Sequence, residues 1–520
     1  MEVVRYFAMP TPNRLHAQMS EEEVGEVVGS PPPTLKNAYV KLRRGVSVRP
    51  LELLVAEGKD GRKVIMRVVN LQHCNPYETA TSIDVEEKSG ISAIPFSGDM
   101  ASVLPGVYIL AETDIVECYK IRNGRAVPLG RTEPPVPGSS VYKASDEVID
   151  VIVGTPRYPI EVGYLAGTDN VVFKIDANAF MRHCLIVGNP GTGKSYFRGI
   201  LMEKLLDIGA RQVNFDPLDE YYYTVEDLGG ENIIIGRDYR PRLDVLSEGE
   251  FTNLIEPYIP TEFQRAIARE GFKRFVQVCR IAGRPLDPSR LIRYVEDAAN
   301  DMQAGDDTRI NVVERLRTLL NSLGIVGTGG RDLARIIESK RLANFVFRDV
   351  GELHITFSVA SILKEILTLK RANRIGNLIV STDEAHLLVP SGKTNPPSKG
   401  VIKRLIRYGR HYGIGVMLIT QLPASLDQEV VSLPSIRVFF ATSTDQIRGV
   451  SYLLSDLPRS VLEDLPRLER GTAIITGAKD LIRHSAYVRI FSERRSRHGA
   501  PTPPLVGPNS GPEGSRLGGR

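Results

Sequence analysis

The chain has 520 residues, 42% of them hydrophobic and 25% charged, with a net charge of +4. That length implies about three domains at ~150 residues each, and the composition is that of a globular protein rather than a disordered or fibrous one. No apolar run reaches the ~18 residues of a membrane span and no leader pattern opens the chain, so the sequence reads as cytoplasmic, with no membrane as partner.

Residues 1–137 carry short β-type runs at Tyr39–Leu42, Leu51–Ala56, Val64–Val69, Val107–Ala111 and Ile115–Tyr119, with an Asp60-Gly61 hairpin signal. The spacing predicts a small N-terminal β-barrel. Gly130–Gly138, rich in Pro and Gly, reads as the linker out of it. From about residue 155 compact apolar segments alternate with helical periodicity: Cys184–Val187, Gln212–Phe215, Asn344–Phe347, Leu378–Thr382, Val416–Thr420, Val438–Ala441 and Thr472–Thr476. That alternation predicts an α/β domain with a mostly parallel sheet, in two parts, 138–246 and 341–490. Between them, 247–340 turns helical, with Ile310, Val313, Leu316, Leu320 and Leu323 on one helical face, and reads as an insertion. Residues 491–520 hold most of the arginines that give the last 32 residues the whole net excess of +4. With five prolines and interspersed glycines they read as a basic disordered tail, which either touches nucleic acid or a partner, or solubilises the chain. Cys74, Cys118, Cys184 and Cys279 form no CxxC pair and read as thiols.

Gly188-Asn189-Pro190-Gly191-Thr192-Gly193-Lys194-Ser195 fits GxxxxGK[ST]. Glycines let backbone N–H groups turn toward phosphates without a Cβ in the way, and the helix that follows points its positive end at the same anion. Lys194 is expected on the β- and γ-phosphates of ATP and the Ser195 hydroxyl on Mg²⁺, with Tyr196, the next residue, also against the nucleotide. An apolar strand runs into the motif and an amphipathic segment, Tyr196–Ile208, runs out, which is the strand–loop–helix it requires.

Asn377–Glu384 (NLIVSTDE) is an apolar strand ending in two acids. Asp383 is the expected Mg²⁺ carboxylate, and Glu384 the carboxylate that polarises the attacking water. Gln421, at the tip of Val416–Thr420, is placed to sense the γ-phosphate or position that water. Arg404, Arg407 and Arg410 lie on a basic helix, Lys399–Tyr412, and Arg182 precedes the loop strand; each is a candidate to reach a nucleotide across a subunit interface, where such a finger contributes roughly 10³–10⁵ in rate.

Together the segments Phe180–Ser195, Val213–Tyr221 (VNFDPLDEY), Ser381–His386, Tyr408–Gly415 and Leu418–Pro434 resemble the HerA branch of the HerA/FtsK superfamily. The resemblance is specific in these segments and loose in the barrel. It implies a RecA-like ATPase domain with a helical insertion behind a HAS-barrel, working as a homo-hexamer that pumps double-stranded DNA with ATP. It also implies a NurA-type nuclease as partner in resecting double-strand breaks, and Arg410 as the finger in trans. Glu220 matches an acidic position near the site. Asp219 stands where a glycine is common and Leu422 where an arginine is frequent. A DEAH-box helicase is the other reading of Asp383–His386, but 189 residues separate Lys194 from Asp383 and only 136 follow Glu384. That leaves no room for a second such core, so completion of the site by a neighbouring subunit is the natural solution. A protein-directed or conjugative-secretion-type motor stays open as an alternative. Pro390–Gly400, with Lys393 and Lys399, is either a channel-facing DNA loop or an ordinary surface connection.

Overall fold

A computed structural model describes residues 22–74, 108–122, 125–154, 156–168, 170–324, 331–454 and 459–498. The backbone divides into two compact units.

The first unit comprises residues within Met1–Arg157, Gly163–Lys174 and Ala478–Arg489. Its strands β1 (Glu23–Val27), β2 (Asn37–Leu42), β3 (Leu53–Glu57), β4 (Lys63–Cys74), β5 (Tyr108–Arg122), β6 (Arg125–Gly130) and β7 (Ser140–Lys143) lie in the order β2-β1-β7-β3-β4-β5-β6. An additional β2–β5 pairing, Asn37↔Asp114 to Lys41↔Leu110, closes the sheet into the expected barrel. Inward positions alternate along each strand, and Val24, Val40, Leu54, Ala56, Val64, Met66 and Ala111 fill the interior. The turn signal holds: Asp60 and Gly61 take φ of 54° and 71° between β3 and β4. Three expectations change. The two runs from 107 to 119 are one strand from Tyr108 onward, with Val107 itself outside the described residues. The segment Gly130–Gly138 is no linker, because Val136 and Gly138 donate to Glu57 and Val27 and the chain continues into β7. A boundary at 137 therefore cuts the barrel, since β7 pairs with both β1 and β3.

The second unit spans residues within Ile175–Gly477 and from Ile490 on, with Tyr158–Val162. The short strands β8 (Pro159–Leu165) and β9 (Val172–Asp176) lead to β10 (Cys184–Val187), β11 (Arg211–Asp216), β12 (Glu231–Ile234), β13 (Leu342–Val346), β14 (Leu378–Thr382), β15 (Ile414–Thr420), β16 (Ile436–Phe439) and β17 (Thr472–Gly477). The order is β12-β13-β11-β14-β15-β10-β16-β17, parallel throughout except for the β16–β17 pair. β10, β13, β14 and β15 are buried at every position, as strands covered on both faces by helices must be. The expected insertion is helical: Glu248–Ile255, Glu262–Ala282, Arg290–Asp301, Asp306–Ser322 and Leu333–Ser339. A capping box at Ser247–Glu250 starts it.

β11 departs from the apolar rule. Gln212, Asn214 and Asp216 alternate along it, all buried; Asn214 and Asp216 join Asn344 on β13 and Ser381 on β14 in one hydrogen-bonded chain, to which Arg198 links Gln212. Every member has a partner, which is the condition for tolerating such polarity inside a sheet.

Candidate functional site

In a parallel sheet the carboxyl ends of the strands form the ligand crevice. β10 lies between β15 and β16, and β14 is the next strand beyond β15, so the sequence motifs at 188, 383 and 421 meet at one edge. The register aligns Val187 with Thr420, and Thr382 with Leu418.

The loop Gly188–Ser195 is pinned from three sides. Gly188 N–H donates to Thr420 O (3.3 Å), Asn189 N–H to Ala441 O (2.8 Å), and Gly471 N–H to Thr192 O (3.0 Å). A Cβ at Gly188 would lie 2.6 Å from Phe440 Cβ, and Gly193, at φ 120°, begins the helix Lys194–Asp207. The cradle therefore tolerates only glycine at both places. Pro190 and Gly191 form its exposed rim, and the Thr192 hydroxyl closes it on Asn189 O (2.8 Å).

Lys194 is 8% exposed and donates through Nζ to Asn189 O at 2.9 Å. Burial draws its ammonium below the ordinary value, against the opposing pull of Asp383, Glu384 and Glu220. Asp383 is 5% exposed, and burial pushes its carboxyl up to about 7, with Glu220 and Glu384 adding to the rise and Tyr221 and Lys194 opposing it. Glu384 takes a left-handed conformation (φ 47°, ψ 44°) that turns its side chain out of the strand line. Gln421 Nε2 donates to Glu384 Oε1 at 3.1 Å. Glu384 Oε2 is buried and lies 3.2 Å from His386 Nδ1, without hydrogen-bond geometry. A strained backbone and a buried carboxylate oxygen with no hydrogen bond are features that a functional role explains.

The residues fit a Mg-nucleotide. Mg²⁺ is usually held by one or two carboxylates plus substrate phosphates rather than by an all-protein cage. Asp383 and Ser195 supply such a set, and among the described residues no group of three or more His, Cys, Asp or Glu side chains forms a cage elsewhere.

Tyr221 is a functional residue that sequence reasoning passed over. Fully buried, it donates its hydroxyl to Asp383 Oδ2 at 2.5 Å, while its own N–H and that of Glu220 donate to Asp216 (both 2.9 Å). Asp383 is thus set from β11 as well as from β14. The other is Arg198, fully buried in the loop helix, which donates to Ser381 Oγ (2.7 Å) and Gln212 Oε1 (3.2 Å) beneath the acids. The alternating polar residues of β11 were the available signal for both. Asp219 also reads differently now. Its φ of 56° explains why glycine suits the position, and Arg348 neutralises its carboxylate at 2.7 Å.

The arginines do not join this edge. Arg182 precedes β10 and Arg410 precedes β15, so both stand at the amino end of the sheet, with strands of four and seven residues between them and their own loop. At ~3.3 Å per residue that is roughly 13–23 Å. Arg182, as the residue just ahead of the loop strand also a candidate to contact its own chain's nucleotide, therefore cannot line that site. The two arginine segments pack together, since a Cβ at Gly409 would lie 3.3 Å from His183 Cε1, and Arg410 is exposed. Of the other candidates, Arg407 pairs with Glu429, and Arg404 is exposed. Lys399 is 8% exposed and donates to Gly392 O (3.2 Å) and Thr394 O (3.1 Å), so of the two loop lysines only Lys393 is free to face a ligand.

Residues 160–367 match the family described as "Helicase HerA, central domain". The chain is 28% identical over 366 residues to the DNA double-strand break repair helicase HerA of Sulfolobus acidocaldarius, covering 66% of this chain and 71% of that one. It is 24% identical over 545 residues to the protein of the same name from Pyrococcus furiosus, covering 93% and 94%. Among solved structures, VirB4 of Thermoanaerobacter pseudethanolicus superposes with a TM-score of 0.52 at 18% identity, covering 65% of this chain and 98% of that one, a likeness of fold.

Proposed function

The chain being a HerA/FtsK-type ATPase, we propose that it hydrolyses ATP in a homo-hexameric ring to drive double-stranded DNA. We further propose that it acts with a NurA-type nuclease in resecting DNA double-strand breaks, in the cytoplasm where that substrate lies. The relatives' shared name, a double-strand break repair helicase, supports the DNA substrate.

One observation carries the ring. The loop, acids and Gln421 occupy one end of the sheet, while Arg182 and Arg410 occupy the other. Within one chain the arginines and the phosphates cannot meet; between adjacent copies in a closed ring they can. In this reading Gly188–Tyr196 hold ATP, Lys194 bears on the β- and γ-phosphates, and Ser195 and Asp383 are the ligands for Mg²⁺. When bound, Mg²⁺ supplies charge neutralisation across those phosphates. Glu384 accepts the proton of the attacking water, and Gln421, bonded to Glu384, links γ-phosphate occupancy to that carboxylate. Arg410 of the adjacent subunit stabilises the developing charge.

The test is ATP hydrolysis by the assembled particle, with and without duplex DNA, at two salt concentrations. Stimulation by duplex DNA that weakens with salt is expected. Absence of both binding and stimulation in an assembled hexamer would overturn the DNA reading in favour of a protein-directed or secretion-type motor.

A further inference from the structure

The first eight residues of the supposed disordered tail are not free. From Ser492 to His498 the chain lies as a strap along the loop helix Lys194–Asp207 and the helix Tyr222–Asp227. Glu203, a buried acid of the loop helix, accepts from Ser496 N–H (3.0 Å) and Arg495 N–H (3.3 Å). Arg494 donates to Thr224 Oγ1 (2.7 Å), and Arg497 N–H donates to Asp227 (2.7 Å). Without the strap Glu203 would be a buried charge with no partner, which is strongly destabilising. Gly199 leaves the room it needs, because a Cβ there would collide with the Arg494 guanidinium.

The strap converges on Tyr196. The Tyr196 hydroxyl donates to Ser492 O at 2.6 Å, the Arg494 guanidinium lies 5.2 Å from the ring centroid, and the His498 ring meets it edge-on at 5.7 Å. Tyr196 follows Ser195, at the end of the backbone run that cradles the α- and β-phosphates. A nucleoside joined to phosphates cradled there would leave the loop past this residue. His498 is exposed there, within electrostatic reach of Glu220 and Arg470, and Gly471 beside Arg470 is itself bonded to the loop.

We propose that the strap Ser492–His498 is the base-side wall of the nucleotide site, with His498 and Tyr196 contacting the purine and ribose of ATP. The inference rests on reading Gly188–Ser195 as an ATP site. Phosphates are held by backbone N–H groups common to any such loop, whereas an aromatic and an imidazole ring set edge to face at the nucleoside exit distinguish ATP from its triphosphate alone.

The experiment uses the full chain with Mg²⁺ in a Glu384→Gln background, so that ligand binds without being consumed. Affinities for ATP and for inorganic tripolyphosphate are measured before and after His498→Ala, and separately after Gly199→Ala. The second change adds a good helix former but evicts Arg494. Each variant is expected to weaken ATP about 10-fold, equivalent to ~1.4 kcal/mol, while tripolyphosphate binds as before. Unchanged ATP affinity in both variants, or a parallel loss for tripolyphosphate, overturns the proposal. A parent chain that binds neither ligand overturns instead the ATP-site reading beneath it.

Discussion

Tyr221 and His183 show how single buried side chains fix the two ends of the sheet. The Tyr221 hydroxyl is 2.5 Å from Asp383 Oδ2, and removing it leaves a buried carboxylate short of a partner, a loss of ~1–3 kcal/mol. Tyr221→Phe is therefore expected to lower the melting temperature modestly and to raise the Mg²⁺ concentration for half-maximal hydrolysis several-fold. An unchanged Mg²⁺ midpoint would show that β14 alone places Asp383. His183 is buried, its Nδ1 accepts Val416 N–H at 3.1 Å, and it lies between the Arg182 and Arg410 segments. Burial holds its ring down to about 4, against an ordinary 6.5. The folded value lies below the unfolded one, so this contribution is complete above pH 6.5 and is lost as pH falls from about 6.5 to about 4. At 1.36 kcal/mol per unit the ceiling is ~3 kcal/mol. Thermal melts of the wild type and His183→Gln between pH 7.5 and pH 4 check this. The wild type's advantage should shrink toward acid, and a pH-independent difference would contradict the assignment.

At the scale of elements, what could be read in advance depended on how each strand or loop is stabilised. β10, β14 and β15 were legible because parallel strands covered on both faces show as compact, mostly apolar runs. β12 is a four-residue edge strand, Glu231–Ile234, too short and polar to stand out. The strand order was not legible, since β11 pairs with strands more than 120 residues downstream and no local pattern encodes such partners. The candidate groups carried by motifs could be read in advance, while Tyr221 and Arg198 make their contacts across the sheet and left only the polar alternation of β11 as a trace. The segment 492–498 was misread because ion pairs to Glu203 and Asp227, rather than apolar burial, hold it. The same distinction separates the two lysines of Pro390–Gly400. Lys399 holds the loop to the helix Pro397–Tyr408 through backbone carbonyls and lies 3.7 Å from Asp427, while Lys393 is exposed. Lys399→Ala is expected to lower thermal stability and leave the salt slope of DNA binding alone. Lys393→Ala should do the reverse, reducing that slope by about one if the loop faces DNA. Salt titrations of duplex binding with matched melts separate them, and a flat response to Lys393→Ala removes the loop from the DNA path.

For the whole molecule, the opposed placement of loop and arginines makes a quantitative demand. If Arg410 works only in the neighbouring subunit's site, then Lys194→Ala and Arg410→Ala particles are each inactive for different reasons. Lys194→Ala subunits lack a usable loop but retain the arginine; Arg410→Ala subunits retain the loop but lack the arginine. In a ring mixed at random in equal parts, a site is complete when an Arg410→Ala subunit's loop faces a Lys194→Ala subunit's arginine, which is about one quarter of all interfaces. Mixing two inactive preparations should then restore roughly a quarter of wild-type ATP hydrolysis if sites fire independently, and less if firing is concerted around the ring. Subunit exchange is followed on the same sample by the mass of tagged and untagged particles. An Arg410→Ala particle that still hydrolyses ATP before any mixing would place Arg410 outside the reaction and leave Arg182, at the same edge of the sheet, as the arginine to test by the same mixing.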